Sequence, residues 1–576
     1  MTELDCLAYG VGRADEGVCL LLHIGPYRVL LDCGLRDLTP LLDATPAGEL
    51  PADLVLCSHA HADHMRGLAA LHHAFPKLPI YASEVTTQLL PLHWQMMADP
   101  ATGSMCQALP LRTPVEFLDG LTAELYPAGH FPGATAVLLT YTPPVEAAAG
   151  LRATASVPLG SLQRDYTVFY TGDFFLSNTR LVEGLPLDEL RGLQPDVLIV
   201  EGSYGTSRHP HRRQQENQFA DRIQRAIAAH QSVLLPASLG LGQELLMLLR
   251  SHHFFTGQDM TIWVDGAVAA GCDAYLDILP HLPASVQNFA RHQALFWDDR
   301  VRPKVRRLTA GDRSSLGQSS PCVVLTDPTA DLSAYYGAHA RDWLVLVPQE
   351  PHRPDPTPPR SPTAMRSADQ PTVETYLLAQ HCDGSGTTQL IHNLRPQHVI
   401  LFHGSPTYLA DLTGLDELHN RYHLHTPLPG SWVELPVGET FMQPEAPDTS
   451  YEGELTELDA VVTIALPSAI STDPRWRLLA DTGLVEARWQ GDELVLRGLP
   501  QREILRQGSD RLTDWMDANS PLRSCCNNCR HYRGQRCWNP ASPLFEFRVT
   551  PEGFCPVFES AQVVPEPGTD PEPRSR

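Results

Sequence analysis

Short apolar runs bounded by Gly, Pro and Asp recur through the first 200 residues. They are Val18 to His23, Tyr27 to Leu31, Leu54 to Cys57, Ala136 to Tyr141, Thr167 to Tyr170 and Val197 to Val200. Runs of this length between turn residues predict strands. The stretch His64 to Phe75 between them has helical character, so the pattern is mixed α/β. From residue 205 to about 375 the alternation continues. Helical periodicity over Gln214 to His230 and Gly242 to Arg250 is interleaved with strands at Ser232 to Leu235, Thr261 to Val264, Cys322 to Thr326 and Trp343 to Val347. This predicts a second α/β unit. A Pro-rich stretch (348–372) cannot make a packed core and reads as a surface loop. A helix and a strand follow, ending in ILFHGSP, and then a loop near Met442 to Ser450. Residues 451–515 read as a small α/β segment, and 561–576 as a disordered tail.

Composition narrows the class. The 576 residues carry 43 Lys+Arg against 67 Asp+Glu, a net charge of −24, and 43% hydrophobic residues. That length and apolar content support several cores, while the acidity argues against a protein that grips nucleic acid over its whole surface. Only Lys77 and Lys304 are lysines, so the positive charge is almost all arginine. The first 25 residues lack a basic leader region, and no apolar run approaches the roughly 18 residues of a membrane span. A soluble cytoplasmic protein is expected. Eight cysteines are scattered singly, as inert core residues are, whereas five gather near the end.

The sharpest chemical signal is Ser58-His59-Ala60-His61-Ala62-Asp63-His64, placed directly after a predicted strand. Imidazoles and a carboxylate at this spacing on one loop can be aimed into a single metal pocket. Composition alone would produce such a motif in only about three of a thousand chains of this kind. Further candidates stand at strand ends or in glycine turns: Asp32, His130 in PAGHFPG, Asp173 in YTGD, Glu201 in VEGSYG and His403 in FHGSP. A strand end lies at the rim of a sheet, where sites are built.

Taken in order, these motifs resemble the metallo-β-lactamase fold and, within it, the β-CASP nucleases, which include ribonuclease J and the pre-mRNA 3′-end cleavage endonuclease. The likeness runs over roughly residues 1–440 and includes QHCD around His381 and VLLPASLGLGQELLMLL (233–249). It implies an αββα sandwich with an inserted α/β β-CASP domain and a small C-terminal cysteine-rich metal-binding module. The implied division is 1–204 for the first part of the metallo-β-lactamase domain, 205–378 for the insertion, 379–442 for the second part and 521–560 for the cysteine-rich module. The resemblance also implies a di-zinc centre. His59, His61 and His130 would hold one Zn²⁺, and Asp63, His64 and His403 the other, with Asp173 bridging and Asp32 orienting a ligand. Two Zn²⁺, two carboxylates and a bridging hydroxide leave one positive charge to meet a phosphodiester during in-line attack. His381, steadied by Glu201, would supply the proton for the leaving oxygen. A histidine at the His403 position belongs to the RNA-associated members, so RNA is the expected partner and no membrane is. An RNA-processing partner protein or a homodimer stays open.

Two departures stand out. The glycine-rich loop usual in the inserted domain is replaced by VVLTDPTADLSAYYG (323–337), and the Glu201 motif reads EGSYG where ESTYG is commoner. They leave endo- versus exonuclease action open. They also keep open a metallo-β-lactamase-fold hydrolase of a non-RNA substrate and a non-catalytic RNA-processing scaffold. Cys526, Cys529, Cys537 and Cys555 could close a tetrahedral site for a further Zn²⁺ or hold an iron–sulfur cluster, with Cys525 as a substitute ligand. Arg523, Arg530, Arg533 and Arg536 stand around it with Tyr532 and Trp538, a combination that can bind phosphate and stack bases. A second basic run, Arg300, Arg302, Lys304, Arg306 and Arg307, lies in the region of the expected insertion.

Overall fold

The structure is a computed structural model. It describes residues 4–13, 16–96, 105–144, 164–318, 320–349, 370–437, 485–490, 493–498, 526–533, 536–539, 549 and 559–560. The chain forms one compact unit over Met1–Pro447 and a second over Asp448–Arg576.

The first unit begins with β1 (Leu4–Val11), β2 (Val18–Ile24), β3 (Tyr27–Leu31), β4 (Leu54–Leu56), β5 (Ile80–Ser83) and β6 (Cys106–Leu109). Next come β7 (Val115–Leu118), β8 (Leu121–Pro127), β9 (Thr135–Tyr141), β10 (Tyr166–Tyr170) and β11 (Val197–Glu201). The chain then builds β12 (Ser232–Pro236), β13 (Thr261–Val264), β14 (Lys304–Arg307), β15 (Val323–Thr326), β16 (Trp343–Pro348) and β17 (Thr372–Tyr376). It closes with β18 (His398–Phe402), β19 (His423–His425) and β20 (Trp432–Glu434). Two seven-stranded sheets result, in the orders β20-β1-β2-β3-β4-β5-β6 and β19-β18-β11-β10-β9-β8-β7.

Alternation along the strands decides what each sheet buries. Val29 and Leu31 of β3 join Val168 and Tyr170 of β10 and Ile400 and Phe402 of β18 in the core between the two sheets. Leu30, Phe169 and Leu401 point the other way, into a second core that includes helical residues such as Leu68, Leu71 and Leu390. Apolar layers on both faces of each sheet are what near-continuous runs such as VLIV (197–200) require.

The third sheet, β14-β13-β15-β12-β16-β17, is parallel throughout. In sequence it lies between β11 and β18, strands that are themselves parallel neighbours. Helices Arg212–Ala228, Leu241–Ser251 and Gly266–Asp277 accompany it. In the second unit, Val485–Gln490 and Glu493–Gly498 form an antiparallel pair, as do Tyr532–Arg533 and Arg536–Cys537. No helix among the described residues is long and apolar enough to cross a membrane.

Most predicted elements recur with shifts of one or two residues. One expected helix, His64 to Phe75, is instead two, Ala62–Met65 and Leu68–Ala74. The break falls at Gly67, whose amide bonds Cys33 O at 2.8 Å and where a Cβ would stand 2.9 Å from Cys33 Sγ. The core of the expected Pro-rich loop (350–369), the expected loop near Met442 to Ser450, the tail (561–576) and most of 451–515 lie outside the described residues.

Close backbone approach at Gly34 seats the metal-motif loop. A Cβ on Gly34 would lie 1.6 Å from Asp63 O, a backbone atom that cannot rotate aside. Gly34→Ala is therefore expected to destabilise the unit by about 3 kcal/mol, read as a lowered urea midpoint. Gly311→Ala, whose added methyl would meet only Thr309 Oγ1 at 3.8 Å, should leave the midpoint nearly unchanged. Equal midpoints for the two variants would refute the steric argument.

Candidate metal centre

The parallel strands of the two large sheets present their carboxyl ends along one rim. Asp32 follows β3, Ser58 and His59 follow β4, Asp173 follows β10, Glu201 ends β11 and His403 follows β18. His130 joins them from the β8–β9 turn. Asp32 (φ 58°) and His403 (φ 51°) are non-glycine residues in the left-handed region. That conformation costs about 1–2 kcal/mol per residue. Their amides are tied to Leu56 O (2.9 Å) and Val11 O (2.8 Å), so the surrounding structure holds the turn that re-aims each side chain.

Three imidazoles form the first half of the site. His59 Nε2 and His130 Nε2 approach His61 Nδ1 to 3.1 and 3.0 Å. The other ring nitrogen of each has a partner: Ser58 Oγ for His59 (3.0 Å), Leu239 O for His61 (3.2 Å) and Gln380 O for His130 (2.9 Å). The two carbonyls can only accept, so His61 and His130 donate there and turn lone-pair nitrogens inward. Burial and neighbouring histidines push His59 and His130 down, His130 to about 3, and burial lowers His61 as well. Neutral nitrogens crowded this closely repel unless a cation lies between them. Their spacing approaches the edge of about 3.3 Å that a tetrahedral Zn–N site requires.

The second half pairs carboxylates with histidines. Asp63 Oδ2 lies 3.1 Å from His403 Nε2, and Asp173 Oδ2 lies 3.3 Å from His64 Nε2. Asp173 serves both halves, its Oδ2 3.6 Å from His59 Nε2 and 3.8 Å from His130 Nε2, and its Oδ1 3.5 Å from His403 Nδ1. Against the burial that opposes charge, Asp173 and Asp32 hold His64 well above the usual range, and Asp173, Asp63 and Glu201 lift His403 to about 10. Asp63 and Asp173 are driven well below theirs by the facing histidines, although burial works the other way. His64 Nε2 and Asp173 Oδ1 are buried without a hydrogen-bond partner. Buried, unpartnered and aimed at one space, these donors fit a divalent metal.

All seven expected ligands come together, in the groupings His59–His61–His130–Asp173 and Asp63–His64–His403. Glu201 and His381 stand beside them in a third grouping with Asp173 and His403. His381 Nδ1 is 2.8 Å from Glu201 Oε2 and 3.9 Å from Asp173 Oδ2. Burial opposes its charge, yet Glu201 and Asp173 raise it above the ordinary imidazole value, while Glu201 is drawn down to about 2 chiefly by His381. His381 Nε2 has no hydrogen-bond partner among the described residues, and the side chain is 13% exposed.

Asp32 is fully buried and accepts four hydrogen bonds, from Ser58 N (2.6 Å), Ser58 Oγ (2.7 Å), Tyr170 Oη (2.5 Å) and His64 Nδ1 (2.7 Å). It thereby turns His64 Nε2 toward Asp173. Tyr170 and Ser203 carry weight that the motifs do not announce. Ser203 donates to Glu201 Oε2 and lies 2.9 Å from His403 Nδ1, linking the His381 partner to the His403 ring. The EGSYG departure has a packing cause: a Cβ on Gly202 would stand 2.6 Å from Leu409 Cδ2 and 2.9 Å from Leu412 Cδ1.

Other expectations meet different surroundings. Arg300, Arg302, Arg306 and Arg307 each pair with an acid, Asp298, Asp259, Asp299 and Asp273 respectively, so the arginines of that basic run are matched locally. The 323–337 stretch forms β15 and a short helix, and Tyr335 donates to Asp265 Oδ2 at 2.7 Å. In the second unit Cys526, Cys529 and Cys537 line one small cavity with His531, while Cys525, Cys555 and Arg523 lie outside the described residues. Arg530 pairs with Glu559, an acid far from it in sequence.

Residues 27–236 match the beta-lactamase superfamily domain. An uncharacterized protein of Synechocystis is 48% identical over 570 residues, 97% of each chain. A probable RNase of Methanocaldococcus jannaschii is 28% identical over 279 residues, covering 45% of this chain and 58% of that one. The cleavage and polyadenylation specificity factor 73 of Drosophila melanogaster is 22% identical over 445 residues, covering 70% of this chain and 60% of the other. The chain thus belongs to the metallo-β-lactamase superfamily, among its β-CASP nucleases, and is a metal-dependent hydrolase.

Proposed function

We propose that this protein is a zinc-dependent phosphodiester hydrolase that cleaves RNA. The convergence of six nitrogen and oxygen donors on the buried carboxylate of Asp173 carries this reading, and relatives named as an RNase and as a cleavage factor support the substrate. His59, His61 and His130 would hold one Zn²⁺, and Asp63, His64 and His403 the second, with Asp173 shared. When bound, such a pair supplies a water activated near neutral pH and positive charge for the phosphoryl transition state. Glu201 orients His381 through Nδ1, and His381 Nε2 faces the leaving oxygen. As the water oxygen bonds to phosphorus and releases a proton to solvent, the opposite P–O bond breaks with its electron pair on the leaving oxygen, which takes the Nε2 proton. His381 regains a proton from solvent.

The third sheet and its helices correspond to the β-CASP insertion (205–378). Leu239 O and Gln380 O, from the segments after β12 and β17, orient His61 and His130. Substrate would enter between that sheet and the metal rim. A further Zn²⁺ or an iron–sulfur cluster would sit at Cys526, Cys529, Cys537 and Cys555. One observation favours a second reading, a small phosphodiester or thioester as substrate: the arginines of 300–307 are occupied by acids, which reduces what that run offers a long polyanion.

Three measurements follow. His59→Ala or His61→Ala should abolish cleavage of labelled single-stranded RNA by purified protein. Activity equal to wild type would sink the assigned site, and rapid small-ester turnover without RNA cleavage in the wild type would establish the second reading. Asp32→Asn should weaken zinc binding about 10–100-fold, measured by chelator competition. Unchanged affinity would remove Asp32 from the ligand-orienting role. His381→Ala should lower kcat on RNA by about 10²–10⁴ with zinc content by elemental analysis unchanged, whereas loss of zinc would make His381 a ligand instead.

A further inference from the structure

The loop bearing His381 has no regular structure until helix Gly384–Leu394 begins, yet it is clasped on both sides by residues 207–215. On the near side, the Ala379 amide donates to Gln215 Oε1 at 2.8 Å, and the Ala379 carbonyl accepts from Arg212 Nη1. On the far side, Gly384 N donates to Ser207 O at 2.9 Å and His209 N donates to Asp383 Oδ2 at 2.9 Å.

Both side chains of the near-side clasp are themselves fixed. Gln215 is 3% exposed, and its Nε2 donates to Pro210 O at 2.6 Å, so its amide cannot swing away without leaving two buried groups unpaired. The Arg212 guanidinium, with a side chain 9% exposed, lies 3.4 Å from Glu216 and 3.7 Å from Glu244. Glu244 is held in turn by Thr179 Oγ1 (2.6 Å) and Leu181 N (2.8 Å). The clasp is therefore anchored in helix Arg212–Ala228, in helix Leu241–Ser251 and in the segment after Asp173.

Glu201 fixes one atom of the His381 ring, Nδ1. The ring also packs against His130, with centroids 4.4 Å apart, and with Nδ1 and that face set, the place of Nε2 depends on where the backbone puts the His381 Cα. A proton donor misplaced by about 1 Å costs about 100-fold in rate. We infer that Gln215 and Arg212 are positioning residues that act through the Ala379 peptide to aim His381 Nε2 at the leaving oxygen. This rests on the proposed role of His381 as proton donor.

The test compares two substrates that differ in their need for a proton. An RNA leaving group is a poor alkoxide and takes the Nε2 proton as its P–O bond breaks. The nitrophenolate released from bis-p-nitrophenyl phosphate leaves with the bonding pair and needs no proton. Gln215→Leu removes the acceptor for Ala379 N–H at nearly constant volume, and Arg212→Gln removes the donor to its carbonyl. Each is expected to lower kcat on RNA about 10–100-fold. KM and zinc content should stay within about twofold, and the loss on bis-p-nitrophenyl phosphate within about threefold. A merely structural role would depress both substrates equally or lower the zinc content, and either result overturns the inference. If Gln215→Leu does not fold, Gln215→Asn, which withdraws the same acceptor by one methylene, takes its place under the same criteria. His381→Ala distinguishes the two levels. If its RNA defect is not relieved on the nitrophenyl ester, the proton-donor reading itself fails. If its defect is relieved and those of the Gln215 and Arg212 variants are not, the positioning inference alone fails.

Discussion

The carboxylate of Asp173 is the interaction on which the rest of this site depends. One oxygen lies within 3.3–3.8 Å of ring nitrogens from His59, His64 and His130, while the other faces His403. Such a group, 2% exposed, is tolerable only where positive charge compensates it. The site is built to receive that charge. On one side three buried imidazoles turn ring nitrogens inward, those of His61 and His130 as lone pairs; on the other Asp63 and Asp173 are matched by His64 and His403. Removing any member leaves a buried neighbour without its counterpart, so the donors stand or fall together.

The scaffold resists the resulting strain through short, redundant tethers. Asp32 spends four acceptor contacts on Ser58, Tyr170 and His64, so the imidazole it orients cannot rotate independently of the loop that carries His59 and His61. The left-handed backbone at Asp32 and His403 persists because β4 and β1 hold their amides. The close approaches at Gly34 and Gly202 are part of the same arrangement. Glycine lets the segment after β3 lie against the Asp63 backbone of the motif loop in one case, and lets helix Pro406–Thr413 settle against the end of β11 in the other.

The third sheet is not a passive neighbour of this centre. Carbonyls of Leu239 and Gln380 fix which nitrogen of His61 and His130 turns inward, and residues 207–215 fix the loop that carries His381. A shift of that sheet relative to the rim would disturb ligand tautomers and the His381 ring together. This coupling ties the third sheet directly to the arrangement of the candidate ligands.

The order of motifs from Asp32 to His403 was legible in the sequence because each functional side chain sits immediately after a short apolar run or in a glycine turn, a local signal that survives without knowledge of the fold. Strand limits such as Thr261–Val264 were legible for the same reason. The split of His64 to Phe75 at Gly67 was not, since it answers to Cys33 across the core. Neither was the matching of the arginines from Arg300 to Arg307, whose acids Asp259 and Asp273 come from other elements, nor the pairing of Arg530 with Glu559. The roles of Tyr170, Ser203, Arg212 and Gln215 were likewise hidden, because a hydrogen bond to a partner 138 or 164 residues away leaves no pattern in the chain. Sequence alone determined which atoms could bind metal. Tertiary structure decided which nitrogen of each ring faces inward and where His381 is aimed, because those choices are made by backbone carbonyls and amides, which every residue carries and no sequence motif marks.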